Sequence, residues 1–187
     1  PTSTLDQLGS LHLLTTTSGS KLAVEKAFST QMIDLPFGAW SFYDETPRTP
    51  LLYDGSRFLW VDTGSTSPRL TLFEAQALRW TPASVSPASA LLIAGNELLV
   101  WTPGQDPLLL LRQSTPIREV AWHESGDGLF FATDTDIQYL ELDPRGGHVR
   151  HTLATFDHLQ DIDLLGTTLY VAGRMNGQSG LWMITVE

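Results

Sequence analysis

The chain has 187 residues, a formal net charge of −10, 42% hydrophobic residues and 17% charged ones, enough for a packed core and too apolar for a disordered polymer. Its 11 Lys and Arg form no cluster, which disfavours nucleic acid and direct contact with an anionic membrane surface, because both need cations gathered on one face. With no cysteine, disulfides, thiolate catalysis and cysteine-based zinc sites are excluded.

In chain order, residues 1–10 are polar without usable periodicity and read as a linker or frayed end. The opening at Pro1 reads as a processed product or an excised piece. LHLLTTT (Leu11–Thr17), KLAVEKAF (Lys21–Phe28) and TQMIDL (Thr30–Leu35) are strand candidates separated by turns. FGAWSFY (Phe37–Tyr43) opens a second unit, followed by a Pro-rich turn at Asp44–Pro50, then LLY, RFLWVDT and RLTLFEA. A third unit runs ALRWTP, ALLIA, ELLVWT and PLLLLRQ. A fourth holds IREVAW, LFFAT, IQYLEL and HVRHTLATF. The last is LQDIDLL, TLYVAGR and GLWMITVE. No apolar run approaches the ~20 residues of a membrane-spanning helix.

These units repeat. Trp40, Trp80, Trp122 and Leu164 are spaced by 40, 42 and 42 residues. Leu51, Leu91, Leu129 and Leu169 are spaced by 40, 38 and 40, and Trp60, Trp101, Leu140 and Trp182 by 41, 39 and 42. The turn before the third strand recurs as Gly19-Ser20-Lys21-Leu22, Gly55-Ser56-Arg57-Phe58 and Gly95-Asn96-Glu97-Leu98. That recurrence makes KLAVEKAF a strand and predicts a hairpin with positive φ at one position. A period of about 41 residues with four short strands is the signature of β-propeller blades. A β-sandwich is the competing all-β reading, but it does not keep three landmarks in phase. The expected fold is therefore an all-β propeller of about five blade-like units, three complete and the terminal two partial. The expected boundaries are a partial unit at 5–36, blades at 37–76, 77–116 and 117–157, and a partial unit at 158–187. Together they make one propeller domain or an excised portion of one.

The best-preserved copy is Val120–Asp143. Trp122 ends its first strand, Asp127-Gly128 makes the turn, Leu129–Thr133 is apolar, Asp134–Asp136 turns again, and Ile137–Leu142 alternates. This order resembles TolB-type and WD-repeat-like blades of bacterial propellers. No unit carries the Gly-His and Trp-Asp pairs of true WD repeats, so the resemblance implies a fold and no particular function.

Chemistry-bearing patterns are few. There is no Gly-x-Ser-x-Gly elbow and no phosphate-binding glycine loop, and Gly146-Gly147 reads as a hairpin turn. His148, His151 and His158, with Asp157 and Asp161 nearby, have the composition of a metal site. Strand geometry, however, puts His148 and His151 on opposite faces, so solvated histidines are expected. Asp127 and Asp134-Thr135-Asp136 could offer oxygens to calcium, but lack the glycine and terminal glutamate of an EF-hand loop and read as turn residues. The recurring tryptophans could form an aromatic surface, and inter-blade packing accounts for them more simply. The sequence thus assigns no catalytic, cofactor or metal residues and no specific binding residues. It points to a non-catalytic protein-interaction or scaffold propeller in a larger assembly, with a neutral or basic protein partner. An extracytoplasmic ligand-sensing domain of a membrane-anchored bacterial protein is the alternative. A propeller hydrolase, third, would require carboxylates converging on the innermost strands.

Overall fold

A computed structural model describes residues 4–8, 10–16, 18–43, 50–64, 68–142 and 148–186. It is all-β: no described residue is helical, and 19 strands form five antiparallel sheets. The chain divides into two compact units, Pro1–Ala75 and Gln76–Glu187.

The first unit holds two sheets. One is β1 (Thr4–Leu8), β2 (Leu11–Thr16), β3 (Gly19–Lys26) and β4 (Ser29–Asp34), paired in that order. The other is β5 (Ser41–Phe42), β6 (Leu51–Tyr53), β7 (Arg57–Asp62) and β8 (Arg69–Glu74). Between them Leu11, Leu13, Leu22, Val24, Trp40, Leu52 and Leu59 bury as one cluster. Strand alternation explains the selection: Leu22 and Val24 point into the core while Lys21 and Glu25 point away.

The second unit holds three sheets. The first is β9 (Ala77–Trp80), β10 (Ala90–Ala94), β11 (Glu97–Trp101) and β12 (Leu108–Arg112). Next come β13 (Glu119–Trp122), β14 (Gly128–Ala132), β15 (Asp136–Leu142) and β16 (His148–Thr155). The last is β17 (His158–Leu165), β18 (Thr168–Met175) and β19 (Gln178–Thr185). Leu91, Val120, Trp122, Leu129 and Phe131 form one inter-sheet cluster, and Phe130, Ile137, Phe156, Ile162, Leu169 and Val171 form the next.

The repeat landmarks fall on equivalent strands. Leu51, Leu91, Leu129 and Leu169 each lie on the second strand of a sheet and are fully buried. Gly19, Gly55 and Gly95 have φ of +138°, +97° and +66°, the positive-φ turn that the recurring tetrapeptide demands. The last hairpin turns on Asn176 (φ +51°) and Gly177 (φ +77°), a two-residue turn whose twist matches its flanking strands.

Two local readings change. Residues 4–8 are a strand, not a frayed end, so the N-terminal sheet has four strands rather than three. The stretch TLDQL places its leucines three apart, so it shows no strand period. Its pairing comes from main-chain groups that complete the otherwise open side of β2. Phe37–Tyr43 supplies only the two-residue β5, and its Pro36-Phe37-Gly38 start folds around an ion pair described below. Most of the Pro-rich turn and the Gly146-Gly147 turn lie outside the described residues.

Candidate functional site

The first strands of the three sheets of the second unit line a groove of about 450 Å³. Arg79 and Trp80 come from β9, Val120 to Trp122 from β13, and Asp161 to Leu164 from β17, with Pro82 at the rim. Two polar contacts fix β9 against β13. The Trp122 indole Nε1 donates to the Arg79 carbonyl at 3.1 Å, and Arg79 Nη2 lies 3.0 Å from Glu119 Oε1. The start of β17 is held by the Leu159 N–H, which donates to the Asp134 carbonyl at 2.7 Å.

A β-bulge sets the chemistry of β17. Leu159 pairs with Gly173 and Asp161 with Ala172, so Gln160 is the extra residue. The extra residue shifts the alternation by one. Leu159 and Ile162 are buried three positions apart, while Asp161 and Asp163 share the opposite, exposed face. A side chain at Gly173 would come within 2.7 Å of the His158 carbonyl, so the bulge also explains that glycine. The groove therefore offers two carboxylates, the Arg79 side chain, which Glu119 pairs from outside the lining, and two indoles. It suits a cationic or amide-bearing segment with an apolar part. Both aspartates are exposed.

The residues singled out from sequence do not converge on a metal. His148 and His151 lie on β16 with no bulge between them, on opposite faces, both exposed. His158 faces a separate recess with Gln160, Arg174 and Ser179. Among the described residues no three His, Asp or Glu side chains form a cation-binding group.

The aspartate turns are occupied by structural contacts. Asp134 takes both Nε and Nη2 of Arg118, at 2.6 and 3.3 Å, and this guanidinium holds its carboxyl below the usual range. Asp136 Oδ1 accepts from Thr155 Oγ1 at 3.1 Å, and Thr133 Oγ1 accepts from the Asp136 N–H at 3.0 Å. At Asp127 a serine, a histidine and a carboxylate do meet. His123 Nδ1 is 2.5 Å from Ser125 Oγ and 3.6 Å from Asp127, and Ser125 Oγ bonds Asp127. One imidazole nitrogen thus faces both partners. A proton relay needs the ring between them, one nitrogen to each. This is a hydrogen-bonded turn, closed by His123 N–H to the Gly128 carbonyl at 3.0 Å.

In the first unit, Asp54 and Arg57 form the most enclosed ion pair, with the Asp54 side chain only 4% exposed. Burial opposes ionisation of Asp54. The Arg57 guanidinium and the N–H groups of Ser56 and Arg57 outweigh it and hold the carboxyl below its ordinary range. Arg57 also donates to the Phe37 carbonyl at 2.6 Å and lies 5.3 Å from the Trp40 ring centroid. A side chain at Gly38 would come within 2.8 Å of Asp54. This cluster ties the recurring Gly-Ser turn to the entry of its own sheet.

The tryptophans divide. Trp40, Trp101 and Trp122 are buried, while Trp80 and Trp122 also wall the groove. Sequence reasoning missed Arg79, Glu119 and Asp163. The alternation Asp161-Ile162-Asp163 on a first strand was the available signal.

No protein-family model and no curated protein matches the sequence. Among solved structures, the chain is similar to the WD40 domain of SCAP from fission yeast. The TM-score is 0.54 at 13% identity, covering 100% of this chain and 49% of that one, so this chain spans about half of that chain's length. At this identity the likeness is one of fold: five blade-like antiparallel sheets of the WD-repeat type.

Proposed function

We propose that the chain is a non-catalytic protein-interaction or scaffold domain, one propeller or a portion of one, working within a larger protein or assembly. Its proposed units are 5–36, 37–76, 77–116, 117–157 and 158–187. The groove between β9, β13 and β17 is the surface that takes a partner. The observation that carries this reading is the pairing of Asp161 and Asp163 with the Trp80 and Trp122 indoles in one groove. On a chain of net charge −10, such a groove selects a neutral or basic segment and steers it by charge.

The test is titration with a capped Arg-Gly-Arg peptide and with its Glu-Gly-Glu counterpart, followed by tryptophan fluorescence and by amide shifts of residues 161–164. The basic peptide binds, weakens as salt rises, and loses about ten-fold or more in affinity when Asp161→Asn and Asp163→Asn are combined. Equal binding of the two peptides, or full binding by the double variant, overturns the reading. Turnover of an ester or glycoside substrate overturns its non-catalytic part.

A further inference from the structure

The outermost strands of the four-stranded sheets are not alike. β4, β8 and β12 are five or six residues long and mix exposed side chains with buried or half-buried ones. β16 has eight residues, and every one but Ala154 is exposed. Blades repeated around an axis ordinarily keep their outer edges short and protected. The sheet of β16 is packed on both faces, through the cluster around Leu129 and the cluster around Phe130. Its inner side pairs with β15, and among the described residues no strand pairs with its outer side.

The direction of the main-chain groups follows from the register. The Leu142 N–H donates to the Asp127 carbonyl at 2.8 Å. Such bonds alternate sides along a central strand, so Leu142, Leu140 and Gln138 turn to β14, and Glu141 and Tyr139 turn to β16. Their partners Val149 and His151 are thereby engaged. His148, Arg150 and Thr152 aim their N–H and C=O groups outward.

The same three residues carry a charge pattern. His148, Arg150 and Thr152 share one face and stand opposite Leu142, Leu140 and Gln138, so that face has no carboxylate on either strand. Val149 and His151 share the other face with Glu141. Arg57, Arg79, Arg112, Arg118 and Arg174 each pair with a carboxylate, whereas Arg150 pairs with none among the described residues. On a chain of net charge −10, β16 has no acidic residue at all. Pairing with the β16 of a second copy would set two such strands side by side, with like charges together.

We infer that the outer edge of β16 is a strand-acceptor site for an extended acidic segment of a partner protein, with carboxylates at alternate positions on the Arg150 face. The outward N–H and C=O groups require an extended backbone. Arg150 offers its guanidinium fork to one carboxylate, and His148 and Thr152 offer an imidazole N–H and a hydroxyl to the neighbouring positions. The inference rests on reading the chain as a protein-binding domain, but it uses a surface separate from the groove and a segment of opposite charge.

The test is amide hydrogen exchange of the whole protein, alone and with a capped eight-residue peptide of alternating threonine and glutamate or of alternating threonine and lysine. The glutamate peptide slows exchange at His148, Arg150 and Thr152 by about ten-fold or more, while Val149 and His151, already bonded to β15, change little. The lysine peptide has no such effect. Arg150→Glu reverses the preference between the two peptides, and Arg150→Gln, should the first variant not fold, abolishes it. Equal slowing by both peptides would mean that charge does not select the segment. Equal slowing at all five amides would mean general stabilisation instead of pairing at the edge. Slow exchange at the three outward amides in the peptide-free monomer would mean that the protein covers its own edge, and protection that rises with protein concentration and a doubled mass would make a second copy the occupant. No slowing at millimolar peptide would mean no acceptor. Each of these overturns the inference, and in each the groove titration with basic peptide still reads protein binding independently.

Discussion

Two neighbouring sheets of the second unit carry the same repeat and live in different surroundings. In β14 all five residues are buried, whereas β18 alternates between buried and half-buried or exposed positions. Phe130 and Tyr170 are 40 residues apart and occupy the same place on these two strands. Phe130 packs against the last sheet, while Tyr170 points to the face carrying Asp161, Asp163, Leu181 and Met183. A blade strand is apolar on both faces only where a sheet lies on each side. The repeat therefore sets which residues are strand, and the neighbours set how apolar the strand must be.

The largest effect should separate these two positions. Phe130→Ala should cost about 3–5 kcal/mol, and Tyr170→Ala less than about 1, in urea unfolding. Equal losses would mean that the last sheet is covered on both faces. On the shared face, Leu129→Ala and Leu169→Ala should each cost about 2–5 kcal/mol, since both leucines are fully buried. A second unfolding transition in the Leu169 variant alone would show the last sheet melting by itself.

A smaller effect is expected at Gly128, where an added Cβ would overlap the Tyr139 hydroxyl. Gly128→Ala should cost about 1–3 kcal/mol and displace the ring. Burial, then the charges of Asp127 and Glu141, push the Tyr139 phenol above its ordinary pKa. Its contribution to stability is therefore present below about pH 10 and is lost as pH rises through the folded-state value. Tyr139→Phe should flatten that alkaline decline, and Gly128→Ala should lower the phenol's pKa in an ultraviolet titration.

The smallest effect belongs to the exposed Arg118–Asp134 pair at the junction of the two sheets. Arg118 depresses the Asp134 pKa, so its stabilisation exists above about pH 4 and disappears as pH falls through the lower folded-state value. Asp134→Asn should remove a weak, salt-sensitive acid dependence from the unfolding midpoint. An effect as large as that of Gly128→Ala would show the junction to be stiffer than an exposed pair allows.

Much of the fold was legible because it is written in local chemistry. Alternation marks strands, Gly-Ser and Gly-Asn turns need positive φ, and the 38- to 40-residue spacing of Leu51, Leu91, Leu129 and Leu169 marks equivalent core positions. What stayed hidden lacks a side-chain pattern. β1 is held by main-chain pairing, and its leucines sit three apart. The groove was hidden for a related reason: alternation puts Asp161 and Asp163 on one face, but no local pattern says that β9 and β13 lie beside them.

The sequence alone determined that this protein is built of short antiparallel strands in repeating units, because backbone sterics and side-chain alternation act over a few residues. Only the tertiary structure decided that Arg79 shares one groove with Asp161 and Asp163 and that the Trp80 and Trp122 indoles wall it. Those facts depend on which strands lie side by side across more than forty residues of chain, and no local period encodes them.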